Sequence, residues 1–183
     1  GDREGIARGL SDVGTAAAAR GDWEESRELL EQAATAFREL GERKRLAVVL
    51  GNLGHVAGHV GDFAGGIALT LEALQLEREV GDKQRQAISL NNLGSFAAET
   101  GEHEEARRWL GECAALSLEI GYREVIAHAL VTHAKIALAE SDPAEAARIA
   151  TAADVVFADL GSEMPGVEGE RFAELKDEVR AQL

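Results

Sequence analysis

Apolar residues recur at steps of three and four along most of this chain. In 83–100, Ala87, Leu90, Leu93, Gly94 and Ala97 share one face of a 3.6-residue period. In 103–120, Ala106, Leu110, Cys113, Ala114 and Leu116 do the same. The opposite face there carries Glu104, Glu105, Arg107, Arg108 and Glu112, which suits solvent. This pattern predicts helices over 3–20, 23–40, 43–60, 63–80, 83–100, 103–120, 123–140 and 143–160. Each would be roughly 26 Å long at about 1.5 Å per residue. A further helix is expected over 169–182, with Phe172, Leu175, Val179 and Leu183 as its apolar stripe. Glu170, Arg171, Glu174, Lys176, Asp177 and Glu178 form its charged face.

The breaks between helices are regular. Glycine stands at 21, 41, 61, 81, 101, 121 and 161, and only Ser141 interrupts the series. Gly21-Asp22-Trp23, Gly61-Asp62-Phe63 and Gly101-Glu102-His103 match at a period of 40. Gly41-Glu42-Arg43, Gly81-Asp82-Lys83 and Gly121-Tyr122-Arg123 form a second, alternating set. Glycine closes a helix by taking a left-handed conformation, and the acidic residue after it opens the next by accepting its first N–H groups. Turns this short make neighbouring helices antiparallel. The fourth repeat uses Ser141-Asp142-Pro143, with proline in the first helical turn. A turn is expected over 162–166.

A fixed period of this size is the sign of a solenoid. The expected architecture is all-α, with antiparallel helix pairs at 3–40, 43–80, 83–120 and 123–160. Helix 169–182 is half apolar and half charged, as a capping element must be. Residues 1–183 read as a single domain. The chain begins at Gly1, and its single methionine is Met164, so it reads as a segment of a longer protein.

The first helix of each pair carries a leucine-glycine signature: Leu10, Val13 and Gly14, then Leu50, Leu53 and Gly54, then Leu90, Leu93 and Gly94. Seven residues later comes the glycine-acidic-aromatic turn, followed by small residues such as Ala33, Ala73, Ala106 and Cys113. This resembles the tetratricopeptide repeat family. The resemblance implies a right-handed superhelix of four pairs plus a carboxy-terminal cap. It departs from the family in its longer period and in lacking the proline between repeats. The fourth repeat also has His133-Ala134 in place of leucine-glycine. Repeats of this length are similar to the sensor arms of bacterial LuxR-type and related ATPase regulators, and to kinesin light chain. A HEAT-type array is the rival at this period.

Composition narrows the function classes. Hydrophobic residues are 45% of the chain and aromatics only 4%, which suits a helical core of small side chains. The net charge of −14 argues against nucleic acid and against an anionic membrane surface. No apolar run is long enough to cross a bilayer, and no signal peptide is visible, so a cytoplasmic location is expected. A single cysteine, Cys113, forbids an internal disulfide and sits where other repeats have alanine.

In the resembled family the first helices line a concave groove, where asparagines hydrogen-bond a peptide backbone. That implies a ligand surface of Asn52, Asn91, Asn92, His55, His59, Ser95, Glu99, His128 and Lys135. The same asparagines could instead bridge neighbouring helices. His55 and His59 have the four-residue spacing that can chelate zinc, but no HExxH motif accompanies them, and no metal or cofactor is expected. No nucleophile elbow or phosphate loop is present, so catalysis is not expected. The expected function is a protein or peptide interaction module, serving as the sensor or docking arm of a bacterial regulator. The alternative is a structural spacer or self-association module, with dimerisation through the solenoid ends.

Overall fold

The computed structural model describes residues 2–161 and 166–183, the side chains of 166–168 excepted. Among these, nine helices follow one another in chain order. They are α1 (Arg3–Arg20), α2 (Trp23–Leu40), α3 (Arg43–His59), α4 (Phe63–Val80), α5 (Lys83–Glu99), α6 (His103–Ile120), α7 (Arg123–Ala139), α8 (Pro143–Asp159) and α9 (Gly166–Gln182). The described residues contain no strand. Four helices end one residue before the expected boundary, within the usual fraying of a last turn. The turn expected at 162–166 lies mostly outside the described residues. Gly166 already belongs to α9, which therefore starts three residues earlier than its charge pattern suggested.

The punctuation works as the side-chain chemistry requires. Gly101 has φ 79°, a left-handed conformation, and its N–H bonds back to the Ala98 carbonyl at 3.1 Å. Ser141 takes the same conformation with φ 65°. Asp2, Asp62, Asp82 and Asp142 each accept a hydrogen bond from the backbone N–H three residues on, starting α1, α4, α5 and α8.

The helices pack as pairs, α1 with α2, α3 with α4, α5 with α6 and α7 with α8, and each pair packs on the next. The core runs along this stack. It includes Leu30, Phe37 and Leu50 at one end, Leu93 and Leu110 in the middle, and Ala134, Phe157 and Phe172 at the other. Within a pair the helices approach closely because one partner lacks a side chain. A Cβ on Gly14 would lie 2.9 Å from Leu30 Cγ, and one on Gly94 would lie 2.6 Å from Leu110 Cγ. In the fourth pair the equivalent positions are Ala134 and Ala150, both buried. The bulk lost from leucine on one helix makes room for the Cβ gained on the other. That exchange accounts for the alanine at the glycine position of the signature.

A second accommodation joins two pairs. The Phe96 ring of α5 fills hollows left by Gly58 of α3 and Gly66 of α4. A Cβ on Gly66 would lie 3.2 Å from its Cε2, and one on Gly58 would lie 3.1 Å from Cζ and nearer still to Cε1.

Ion pairs repeat with the same period. Arg3–Glu39 (2.6 Å), Arg43–Glu79, Lys83–Glu119 and Arg123–Asp159 (3.0 Å) each tie the start of one helix to the end of its partner. Arg38–Glu72 (2.7 Å) and Arg78–Glu112 (3.4 Å) join successive pairs. All are solvent-exposed, so each contributes little to stability while marking register.

Candidate functional site

Helices α3, α5, α7 and α9 line a groove of about 710 Å³. α3 presents His55, Gly58 and His59, α5 presents Asn91, Asn92, Ser95, Phe96 and Glu99, and α7 presents His128, Thr132 and Lys135. The register explains the columns. His55, Ser95 and Lys135 recur at intervals of 40 on successive inner helices, and His59 and Glu99 form a neighbouring column. Eight of the nine residues singled out from the sequence therefore line one surface.

Asn52 does not line it. Its Nδ2 donates to Thr15 Oγ1 at 3.1 Å, bridging α3 to α1. The sequence reading left both roles open for the asparagines, and at this position the bridge is formed.

The remaining residues differ in how they are held. The Asn91 side-chain oxygen is buried and has no hydrogen-bond partner among the described residues. Lys135 Nζ donates to Glu99 Oε1 at 3.3 Å, so one groove cation is paired with a groove anion. Thr132 Oγ1 donates to the His128 carbonyl at 3.4 Å. The His128 ring meets Phe157 edge-on, with centroids 5.5 Å apart. The His55 and His59 Nε2 atoms are 3.1 Å apart, and the Trp23 ring stacks on His59 with centroids 4.2 Å apart.

The groove has a wall that its sequence pattern did not announce. Arg171, Phe172, Glu174, Leu175 and Glu178 of α9 close one end. The charged face of α9 was expected to meet solvent, yet part of it faces the groove. Its place in the order was the available signal: after four pairs, the next helix takes an inner, odd-numbered position. Phe172, Leu175 and Val179 anchor it on the α7–α8 core. Lys176 reaches Asp154 at 3.0 Å.

Elsewhere the titratable groups serve packing. Burial pushes the Cys113 thiol up to about 11, and its Sγ donates to the Ala87 carbonyl at 3.3 Å. A hydrogen bond from Arg107 holds the Glu140 carboxyl below its ordinary value. Burial, and then the Arg107 charge, lower His133. Among the described residues no three histidine, cysteine, aspartate or glutamate side chains gather as a metal centre. No described helix is long and apolar enough to cross a membrane.

The tetratricopeptide repeat family model matches residues 5–65 and 45–117, overlapping segments that together span more than half of the chain. The chain belongs to the tetratricopeptide repeat family. No curated protein sequence matches it. Solved structures share the fold at low identity. The crystal structure of BtubC (BKLC) from P. vanneervenii is 17% identical, with a TM-score of 0.74 over 90% of this chain and 68% of that one. The nearly identical TPR-like repeats assigned to a kinesin light chain of Podosopora anserina are 15% identical, with a TM-score of 0.64 over 96% of this chain and 93% of that one. A single-substitution form of those repeats gives 17% identity and a TM-score of 0.65 over the same shares. Tetratricopeptide repeats are in general protein-interaction scaffolds, and this tetratricopeptide repeat chain presents the grooved solenoid of that class.

Proposed function

We propose that the chain holds a peptide or partner helix in the groove between α3, α5, α7 and α9. It would act as the sensor or docking arm of a regulator of the bacterial LuxR-type or related ATPase class, in the cytoplasm. The observation that carries the reading is the row of Asn91, Asn92 and Ser95 along an open groove. An amide side chain offers a peptide backbone both a donor and an acceptor. The regulator role rests on the likeness of the 40-residue repeat pattern. No catalytic role is proposed.

The test sets the chain beside an Asn91→Ala/Asn92→Ala variant, both immobilised, and identifies retained host proteins by mass spectrometry. The partner found is then titrated calorimetrically. A loss of affinity of about tenfold or more in the variant, with unchanged melting temperature, supports the groove. Equal affinity of both proteins for that partner overturns it.

A second reading is self-association through the amino-terminal end. Ile6 and Val13 on α1 are 65% and 51% exposed. The equivalent Leu46, Leu53 and Leu93 are buried. A concentration series in light scattering decides: a constant monomer mass removes this reading.

A further inference from the structure

His55 and His59 lie one turn apart near the end of α3, and their Nε2 atoms converge to 3.1 Å. The i, i+4 spacing permits this without enforcing it, because two imidazoles can equally splay. One of the rings is held: Trp23, the first residue of α2, stacks on His59 with its plane 7° from parallel. His55 meets that ring edge-on, centroids 4.5 Å apart. Two imidazole nitrogens bound to one metal ion at about 2.0–2.1 Å each, at angles from square to tetrahedral, stand about 2.9–3.4 Å apart. The separation here falls inside that range. It also fits a hydrogen bond in which one ring donates its Nε2–H to the other. Moving that proton to Nδ1 leaves a lone pair on each Nε2. Both rings are half-buried and line the groove, so an ion reaches them from solvent.

We infer that His55 and His59 chelate a divalent transition-metal ion through their two Nε2 atoms. Among the described residues no third histidine, cysteine, aspartate or glutamate gathers with them. Imidazole favours Cu²⁺, Ni²⁺ and Zn²⁺ over Mg²⁺, with Cu²⁺ bound most tightly. The site does not depend on a peptide occupying the groove.

Titrating the whole chain with CuCl₂, NiCl₂, ZnCl₂ and MgCl₂ in a calorimeter tests this. One equivalent of Cu²⁺ should bind saturably, Ni²⁺ and Zn²⁺ more weakly, and Mg²⁺ not at all. His55→Gln and His59→Gln should each weaken Cu²⁺ binding about tenfold or more, while His128→Ala leaves it unchanged. A readout independent of heat uses Trp109→Phe, which leaves Trp23 as the only tryptophan. Its fluorescence should be quenched by one equivalent of Cu²⁺, and the quenching should disappear in His55→Gln, which leaves the His59–Trp23 stack in place. Absence of saturable Cu²⁺ binding, or equal binding by a His55→Gln/His59→Gln protein, overturns the assignment.

Discussion

Glu77 accepts a hydrogen bond from Ser89 Oγ at 3.1 Å inside the seam between α4 and α5. The register equivalents in the first seam, between α2 and α3, are Phe37 and Val49, both buried and apolar. The second seam has thus replaced a ring with a carboxyl, one of whose oxygens has no hydrogen-bond partner among the described residues. Burial raises this carboxyl from 4.5 to about 7, outweighing the opposing pull of the Ser89 bond and of Arg85.

The sign of the resulting pH dependence follows directly. Below about 4.5 the group is protonated in the folded and the unfolded chain, and contributes nothing differential. Between that pH and about 7 the unfolded chain releases the proton while the folded chain keeps it, so stability falls as pH rises. Above about 7 the loss levels off. Glu77→Gln should therefore be more stable than the parent by roughly 2 kcal/mol at alkaline pH, with the difference vanishing in acid. Urea unfolding at several pH values checks this, and a difference independent of pH would exclude Glu77 as its source.

The pairing of Gly94 with Leu110 makes a coupled prediction. Gly94→Ala should cost about 1–3 kcal/mol by overpacking. Leu110→Ala should cost about 2–5 kcal/mol by leaving a cavity. The double variant reproduces the Ala134 and Ala150 arrangement of the fourth pair and should lose less than the sum by about 1 kcal/mol or more. Strict additivity in a double-mutant cycle would show that these side chains do not share space.

Ser141 occupies a left-handed position that every other turn of the series gives to glycine. Ser141→Gly should raise stability by about 1 kcal/mol, because the Cβ clash of that conformation disappears. Gly101→Ser should lower it by a similar amount. Thermal denaturation of the two variants should shift in opposite directions.

Asn52 bridges α3 to α1, whereas Asn91 and Asn92 line the groove. Asn52→Ala should lose about 0.5–1 kcal/mol of stability with its bridge to Thr15. Partner affinity at Asn91 and Asn92 should not change. A variant with native stability and lost affinity would reverse that assignment.

The helices and their pairing were legible because the glycine-acidic turns reset the chain every 20 residues and the apolar face keeps a 3.6-residue period between them. The inner row followed from the same arithmetic, which is why His55, Ser95 and Lys135 come together. What sequence spacing could not convey was contact between repeats. Asn52 and Asn92 are register equivalents, yet Asn52 has Thr15 within reach and does not line the groove. The inward turn of α9 was hidden for a similar reason: a charged face looks solvent-bound until the groove it borders is known. The buried Glu77 stood in a charged stretch, Glu77-Arg78-Glu79, and only the seam shows that it points inward.

The fit of Phe96 over Gly58 and Gly66 gives the array a direction of assembly. At the corresponding positions of the first repeat stand Ala18 and Ser26, which offer no such hollow. Excising the second repeat and splicing the first onto the third would drive the ring into those side chains, although every turn and every period would still match. The units share a length but not a shape, and their sequence of neighbours is written into the volumes at each junction. A solenoid built this way cannot lose its second repeat like a bead from a string, because the third repeat is cut to fit the one before it.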